Sequence, residues 1–220
     1  MQLSILVFAP LIHFFFSVDM LTASIYWNII SFILGTIIVL ALMRKDFILE
    51  SQFSNTSFGR ILLWIFVGFW MAYFAQAISV MIEFYVLKID VGSENTDAIV
   101  NLARMNSLFI IIPAIVGPIL EELVFRKVIF GSLNKKMNFF WAALLSSIIF
   151  AAMHLDFSHL LIYTSMGFVF AFLYVKTKRI IVPIVVHMSL NSFAVIGQLL
   201  LGPEEVDRLR QELFLIIFGG

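Results

Sequence analysis

Seven long apolar runs make up most of this chain and decide what it can fold into. An α-helix needs roughly 20 mostly apolar residues to cross a bilayer. The runs cover residues 2–18, 24–43, 61–83, 105–133, 138–156, 159–175 and 180–201. Charged residues make up only 13% of the chain, whereas soluble domains use about 25% to cover their surface. The sequence therefore predicts an all-α fold, a polytopic transmembrane helical bundle.

The number of helices is expected to be seven or eight. The runs lack the alternating pattern of membrane β-strands, so each one is interpreted as a helix. After Glu204 a polar stretch leads into the short apolar run 213–218, which suits a marginal or interfacial eighth helix. The first run has no basic residues before it and no small-residue cleavage site after it, so we interpret it as a retained helix. No long polar stretch separates the runs, which predicts a single membrane domain over residues 1–220.

Composition also narrows the chemistry. The chain has no cysteine, which excludes disulfides and thiolate metal sites. Its formal net charge is zero, which gives no indication of nucleic acid as a partner. The partners that we expect are the lipid bilayer and a substrate at or in the membrane.

The basic residues predict an orientation. If the runs alternate in direction, ten lysines and arginines fall on one side of the bundle. They are Arg44, Lys45, Arg60, Arg126, Lys127, Lys135, Lys136, Lys176, Lys178 and Arg179. Cytoplasmic loops are enriched in such residues. We therefore predict a multi-pass protein of the cell membrane with a cytoplasmic N-terminus.

Several polar side chains lie inside the apolar runs, where they are costly and therefore candidates for function. They fall into three groups: Glu121, Glu122 and Arg126 in the fourth run, His154 in the fifth, and His187 and Asn191 in the seventh. The fourth run also contains Pro113 and Pro118, so its helix is expected to begin irregularly or to kink.

Helical spacing separates the roles of the two glutamates. Glu122 and Arg126 are four residues apart, so they share a helix face and can pair. Glu121 lies about 100° around the helix and has no such partner. A carboxylate without a countercharge in a low dielectric accepts a proton more readily, which suits a general base. The spacing thus favours Glu121 as a catalyst and the Glu122–Arg126 pair as a structural clamp.

His187 and Asn191 are also four residues apart, so their side chains point the same way. An imidazole N–H and an amide NH2 that converge would suit a developing oxyanion. Counted at about 1.5 Å per residue from the nearest cytoplasmic basic residue, these two, Glu121 and His154 lie roughly 12 to 27 Å into a core about 30 Å thick. The four side chains are expected to share one chamber at mid-depth or in the outer half.

Together the three groups resemble the motifs of a known family. Glu121-Glu122-x-x-x-Arg126, Phe150-x-x-x-His154 and His187-x-x-x-Asn191 are similar, in this order, to those of the CPBP family. This family comprises CAAX proteases and bacteriocin-processing proteins and is also called the Abi or type II CAAX prenyl endopeptidase family. The resemblance covers about residues 105–200, which would be the catalytic core.

The resemblance implies an intramembrane endopeptidase that hydrolyses membrane-associated, lipidated or leader peptides. In this family pattern, Glu121 and His154 activate a water, His187 and Asn191 stabilise the oxyanion, and Glu122 with Arg126 orients the site. The family has also been described as metal-dependent. Zn2+ is therefore possible, with Glu121, His154 and His187 as ligands, but no closely spaced ligand motif such as HExxH occurs. We favour the mechanism without a metal or other cofactor.

Two other functions stay open. A non-catalytic membrane scaffold or bacteriocin immunity protein of the same family would not need the glutamate. A proton-coupled transporter would also bury Glu and His residues, but no inverted repeat is visible. Outside the motifs, His159 lies at a predicted membrane boundary, and we expect it to be solvated and near enough to influence His154.

Overall fold

The structure, a computed structural model, is helical wherever it contains regular elements. It describes residues 4–53, 56–90 and 92–202 together with Glu205, Arg208, Leu209 and Glu212. The helices are α1 Ile5–Phe16, α2 Met20–Leu42, α3 Arg44–Phe53, α4 Phe58–Tyr85, α5 Glu94–Met105, α6 Ser107–Leu133, α7 Phe139–Ala152, α8 Leu160–Thr177 and α9 Ile181–Leu201. The predicted helical membrane bundle is confirmed. The predicted eighth helix near the chain end lies mostly outside the described residues.

Seven of these helices coincide with the seven apolar runs. Five of them, α2, α4, α6, α9 and α8 with its preceding turn, are long and apolar enough to cross a bilayer. The other two, α1 and α7, have 12 and 14 residues. At 1.5 Å per residue these two reach only about 18 and 21 Å, less than the roughly 30 Å hydrocarbon core. The fifth apolar run, 138–156, extends beyond the end of α7 into a non-helical turn, and this turn contains His154.

Two further helices, α3 and α5, lie in connections that the sequence pattern left without structure. α5 begins after Ser93, whose hydroxyl accepts a hydrogen bond from the backbone N–H of Thr96, as is typical of an N-cap. Its residue Ala103 is buried in one cluster with Ile25 of α2 and Phe109 of α6. The connection between α4 and α6 is thus packed against the bundle.

Helix α8 occupies the centre of the bundle and packs against α4, α7 and α9. Its residues Phe170 and Leu173 are fully buried with Ala72 of α4 and Val186 of α9. In contrast, large apolar side chains on the outer helices are exposed, for example Phe14, Phe66 and Phe193. In a membrane protein this outer surface is covered by lipid, so the polar chemistry has to lie between the helices.

The contact between α7 and α8 depends on small residues. A Cβ atom added at Gly167 would lie 2.8 Å from both Cβ and Oγ of Ser147. Side chains never approach this closely without displacement of the backbone, and overpacking of this kind costs typically 1–3 kcal/mol. The glycine therefore sets the distance between the two helices that flank the turn bearing His154.

We predict that Gly167→Ala lowers the free energy of unfolding by about 1–3 kcal/mol, because α7 and α8 must separate. Thermal unfolding of the purified protein in detergent micelles measures this loss. Gly197→Ala in α9 is the matched control, since nothing lies within 4 Å of its added Cβ. Equal unfolding temperatures for the two variants would contradict the proposed close contact.

Candidate active site

Helix α6, which carries both glutamates, is irregular along its length. It contains the π-helical segments Ile112–Val116 and Glu122–Phe130, separated by the α-helical Gly117–Glu121. Pro113 and Pro118 contribute to this, because neither has an N–H for the helical ladder. The irregular beginning that the prolines predict is confirmed. π-Helical turns occur frequently at functional sites.

Glu122 and Arg126 form an ion pair in the interior of the bundle. The Arg126 Nε lies 3.2 Å from the Glu122 Oε2, and both side chains are fully buried. The guanidinium also lies 4.3 Å from the ring centre of Phe150 and 5.2 Å from that of Phe170. Such contacts with aromatic faces stabilise a desolvated cation. The pairing expected from the spacing of the two residues is therefore present.

His187 lies between the two glutamates. Its Nδ1 is 2.9 Å from the Glu122 Oε1, and its Nε2 is 3.7 Å from the Glu121 Oε2. Glu122 pairs with the cation of Arg126, and a carboxylate oxygen accepts hydrogen bonds, so we assign the Nδ1–H of His187 as the donor to it. The ring also stacks on Phe170, with centroids 4.8 Å apart. His187 is thus fixed in orientation, and its Nε2 is the nitrogen left for Glu121 or a ligand.

Asn191 contacts the irregular part of α6. Its Nδ2 donates a hydrogen bond to the carbonyl of Pro113 at 3.1 Å. The backbone N–H groups four and five residues later do not bond to this carbonyl. The N–H of Gly117 bonds to the carbonyl of Ile112 instead, and Pro118 has no N–H. Asn191 therefore satisfies a carbonyl that the prolines release, and it keeps a second N–H for other contacts.

His154 lies in the turn after α7 and is held on both sides of its ring. Its Nδ1 is 2.9 Å from the backbone carbonyl of Phe150, and its ring stacks on Tyr163 at 4.1 Å. The next residue, Leu155, has a φ of 56°, a left-handed conformation that is uncommon for a residue other than glycine. The imidazole lies at the wall of a space between α4, α7, α8 and α9.

That space is a cavity of about 300 Å³. Its lining includes His154, His187, Asn191 and Tyr163. Glu121 does not belong to the lining formed by the described residues; its carboxylate reaches the cavity region through its proximity to His187. The structure thus brings three of the four predicted catalytic side chains to one cavity and places the fourth beside it.

The ligands proposed for the alternative zinc site are Glu121, His154 and His187. Within the part of the chain that the structure describes, no group of three or more His, Asp or Glu side chains is placed to hold a metal. Glu121, His154 and His187 accordingly do not form such a group. Metal independence itself stays a prediction.

One sequence expectation is wrong. His159 is buried, with 8% of its surface exposed, instead of solvated at the membrane boundary. Its Nδ1 lies 2.7 Å from the Oε2 of Glu83, a buried carboxylate near the end of α4. The two residues are 76 positions apart, so no local pattern pairs them. The available signal is that Glu83 is a carboxylate at the end of the otherwise apolar run 61–83.

Comparison with known proteins gives one family. Residues 103–193 match the family model described as type II CAAX prenyl endopeptidase Rce1-like. Over 229 residues the chain is 44% identical to the "Putative membrane peptidase YdiL" of Bacillus subtilis, covering 100% of this chain and 93% of that protein. No solved structure matches the chain.

Two more distant relatives come from other bacteria. The chain is 35% identical over 204 residues to the "Membrane-embedded CAAX protease MroQ" of Staphylococcus aureus, which covers 89% of this chain and 82% of that protein. It is also 35% identical over 136 residues to the "UPF0177 protein YxdF" of Lactococcus lactis, with 57% and 73% covered. The residues matched by the family model, 103–193, include all seven residues named in the three motifs.

We predict that Arg126→Met lowers the free energy of unfolding by about 3–5 kcal/mol, because it leaves the Glu122 carboxylate buried without its cation. Unfolding in mixed micelles with increasing SDS measures the change. The double variant Glu122→Gln with Arg126→Met should recover part of the loss.

Arg208→Met is the control for this experiment, since Arg208 pairs with Glu205 at 3.1 Å on the exposed surface. Exposed pairs contribute only about 0–1 kcal/mol. Comparable losses for the buried and the exposed substitution would contradict the importance of the buried pair.

Proposed function

The chain belongs to the CPBP family of membrane-embedded CAAX proteases, and from this premise we propose that it is an intramembrane endopeptidase that uses Glu121 and His154 to activate water. The membrane protease role follows from the family and its named relatives. The observation that best supports the mechanism is the arrangement around the cavity. His154, His187 and Asn191 line it, and Glu121 approaches His187 from beside it.

The proposed reaction begins with a water molecule between Glu121, His154 and the substrate carbonyl. Glu121 takes one proton from the water as the oxygen attacks the carbonyl carbon, which forms a tetrahedral intermediate. The proton then passes to the amide nitrogen, and the carbon–nitrogen bond breaks. The products are a carboxylic acid and an amine, and a final proton transfer from the acid to the amine leaves a carboxylate and an ammonium group, so the atoms balance without a cofactor.

His187 and Asn191 are proposed to stabilise the oxyanion of that intermediate. The Nδ1 of His187 is engaged by Glu122, so Nε2 is the atom that would donate. The proton that it uses is the one that Glu121 takes from the water and that later passes to the amide nitrogen. Asn191 would donate its second N–H, since the first is bonded to Pro113. Glu122 and Arg126 are positioning residues in this scheme, because they act through His187.

The substrate is proposed to be a membrane-associated, lipidated or leader peptide. The cavity extends towards the connection between α4 and α5, including Ile89 and Ser93. In the orientation predicted from the basic residues, with the N-terminus in the cytoplasm, this connection lies on the outer side of the cell membrane. We therefore propose that peptides enter from the lipid or from that side.

The test is cleavage of peptides by purified protein in nanodiscs. Two substrates are used: a quenched fluorescent peptide with a farnesylated CAAX-type end, and an unlipidated peptide library read by mass spectrometry. Glu121→Gln and His154→Ala should each lower kcat about 10²–10⁴-fold, since general acid–base groups contribute that much. His13→Ala, at an exposed histidine of α1, should leave kcat unchanged.

The outcomes separate the two readings of the family. Full activity in a folded Glu121→Gln variant would contradict the proposed mechanism. If neither substrate is cleaved while the cellular phenotype of a deletion is restored by Glu121→Gln, the protein acts as a non-catalytic scaffold or immunity protein. Treatment with a chelator should not change the rate, because no metal takes part in the proposed reaction.

A further inference from the structure

A second pair of a carboxylate and a histidine faces the same cavity and has no part in the proposed hydrolysis. The Nδ1 of His159 lies 2.7 Å from the Glu83 Oε2. The other carboxylate oxygen, Oε1, accepts a hydrogen bond from the backbone N–H of Ile162 at 3.2 Å. Both Glu83 and His159 line the cavity. The pair joins the end of α4 to the beginning of α8.

These contacts define the chemical state of His159. Glu83 accepts a hydrogen bond from a backbone N–H in the first turn of α8, a place that favours negative charge. It therefore acts as an acceptor for the Nδ1–H of His159, which leaves a lone pair on Nε2. Among the described residues Nε2 has no hydrogen-bond partner, although nine-tenths of the residue is buried. Nε2 is not among the described side-chain atoms that are closed off from solvent without a partner, so this acceptor is open to the cavity, where a ligand can donate to it.

The charges of the cavity lining indicate the kind of donor. Glu83 and Asp90 are the acidic residues of the lining, and the described lining contains neither lysine nor arginine. The nearest cation of the catalytic group, Arg126, is buried against Glu122 and does not belong to the lining. A cavity of this kind attracts a positively charged group. Because little water screens charges inside it, the attraction between that group and the carboxylates is strengthened.

We propose that the Glu83–His159 pair is a recognition site for a cationic group of the peptide, which is a lysine or arginine side chain or a free terminal amine. The ammonium or guanidinium donates to the His159 Nε2, and the negative charge of Glu83 balances it. The proposal rests on the proposed function, because it is that function that makes the ligand a peptide. It makes Glu83 and His159 specificity-determining residues, separate from the residues that perform hydrolysis.

The experiment measures binding, so that it does not depend on cleavage. Glu121→Ala protein in nanodiscs is immobilised and incubated with two peptide libraries, one acetylated at the N-terminus and one free. Retained peptides are sequenced by mass spectrometry. Lysine- and arginine-containing peptides should be enriched about tenfold or more over the input, since hydrogen bonds to charged groups are worth this factor. If peptides are retained only from the library with free N-termini, the site binds a terminal amine.

Two variants test whether the enrichment depends on Glu83 and His159. Glu83→Gln in the same background keeps an acceptor for Ile162 but removes the charge, so the enrichment should fall at least fivefold or so. His159→Phe should do the same. Asp19→Asn is the matched control: it removes one exposed carboxylate at the N-cap of α2 and should leave the enrichment intact.

Two results would overturn the proposal. The first is that the retained peptides show no excess of lysine, arginine or free amines. The second is that such an excess persists in both the Glu83→Gln and the His159→Phe variants. A purely structural role of the pair predicts lower thermal stability in these variants with unchanged enrichment. Failure of the proposed function is seen separately, as peptides that are retained by the Glu121→Ala protein but never cleaved by the wild type.

Discussion

The buried carboxylate of Glu122 is the constraint on which the rest of the site depends. One of its oxygens is paired with Arg126 and the other with His187. A lone charge at this depth would be highly unfavourable, so the two contacts must form together with the packing of α6 against α9. The rings of Phe150 and Phe170 cover the guanidinium and bring α7 and α8 into the same assembly. The proposed catalytic groups are therefore held by one electrostatic centre.

Much of this architecture could be predicted from local patterns. The apolar runs predict the positions of seven helices, five of them long enough to cross a bilayer, because such a span depends mainly on length and composition. The Glu122–Arg126 contact follows from a spacing of four residues on one helix. Helices α3 and α5 were missed, since short amphipathic helices in polar connections carry a weaker signal. The N-cap at Ser93 is the kind of local feature that could have identified α5.

The remaining features depend on contacts between distant segments, which no spacing rule describes. The spacing of His187 and Asn191 predicts that the two side chains point the same way, but it gives no indication that the Nδ1 of His187 contacts Glu122, 65 positions away. The bond from Asn191 to Pro113 spans 78 positions. His159 is buried because the end of α4 brings Glu83 to it. The roles proposed for these side chains rest on geometry that only the tertiary fold creates.

The protonation of His187 tests the account most directly, because every proposed role depends on which nitrogen faces Glu121. In protein labelled with 15N-histidine, NMR chemical shifts distinguish a protonated ring nitrogen from one with a lone pair, and His187→Gln assigns the signal. The account predicts a proton on Nδ1, donated to Glu122, at neutral pH. A neutral ring with its proton on Nε2 and a lone pair on Nδ1 would contradict it.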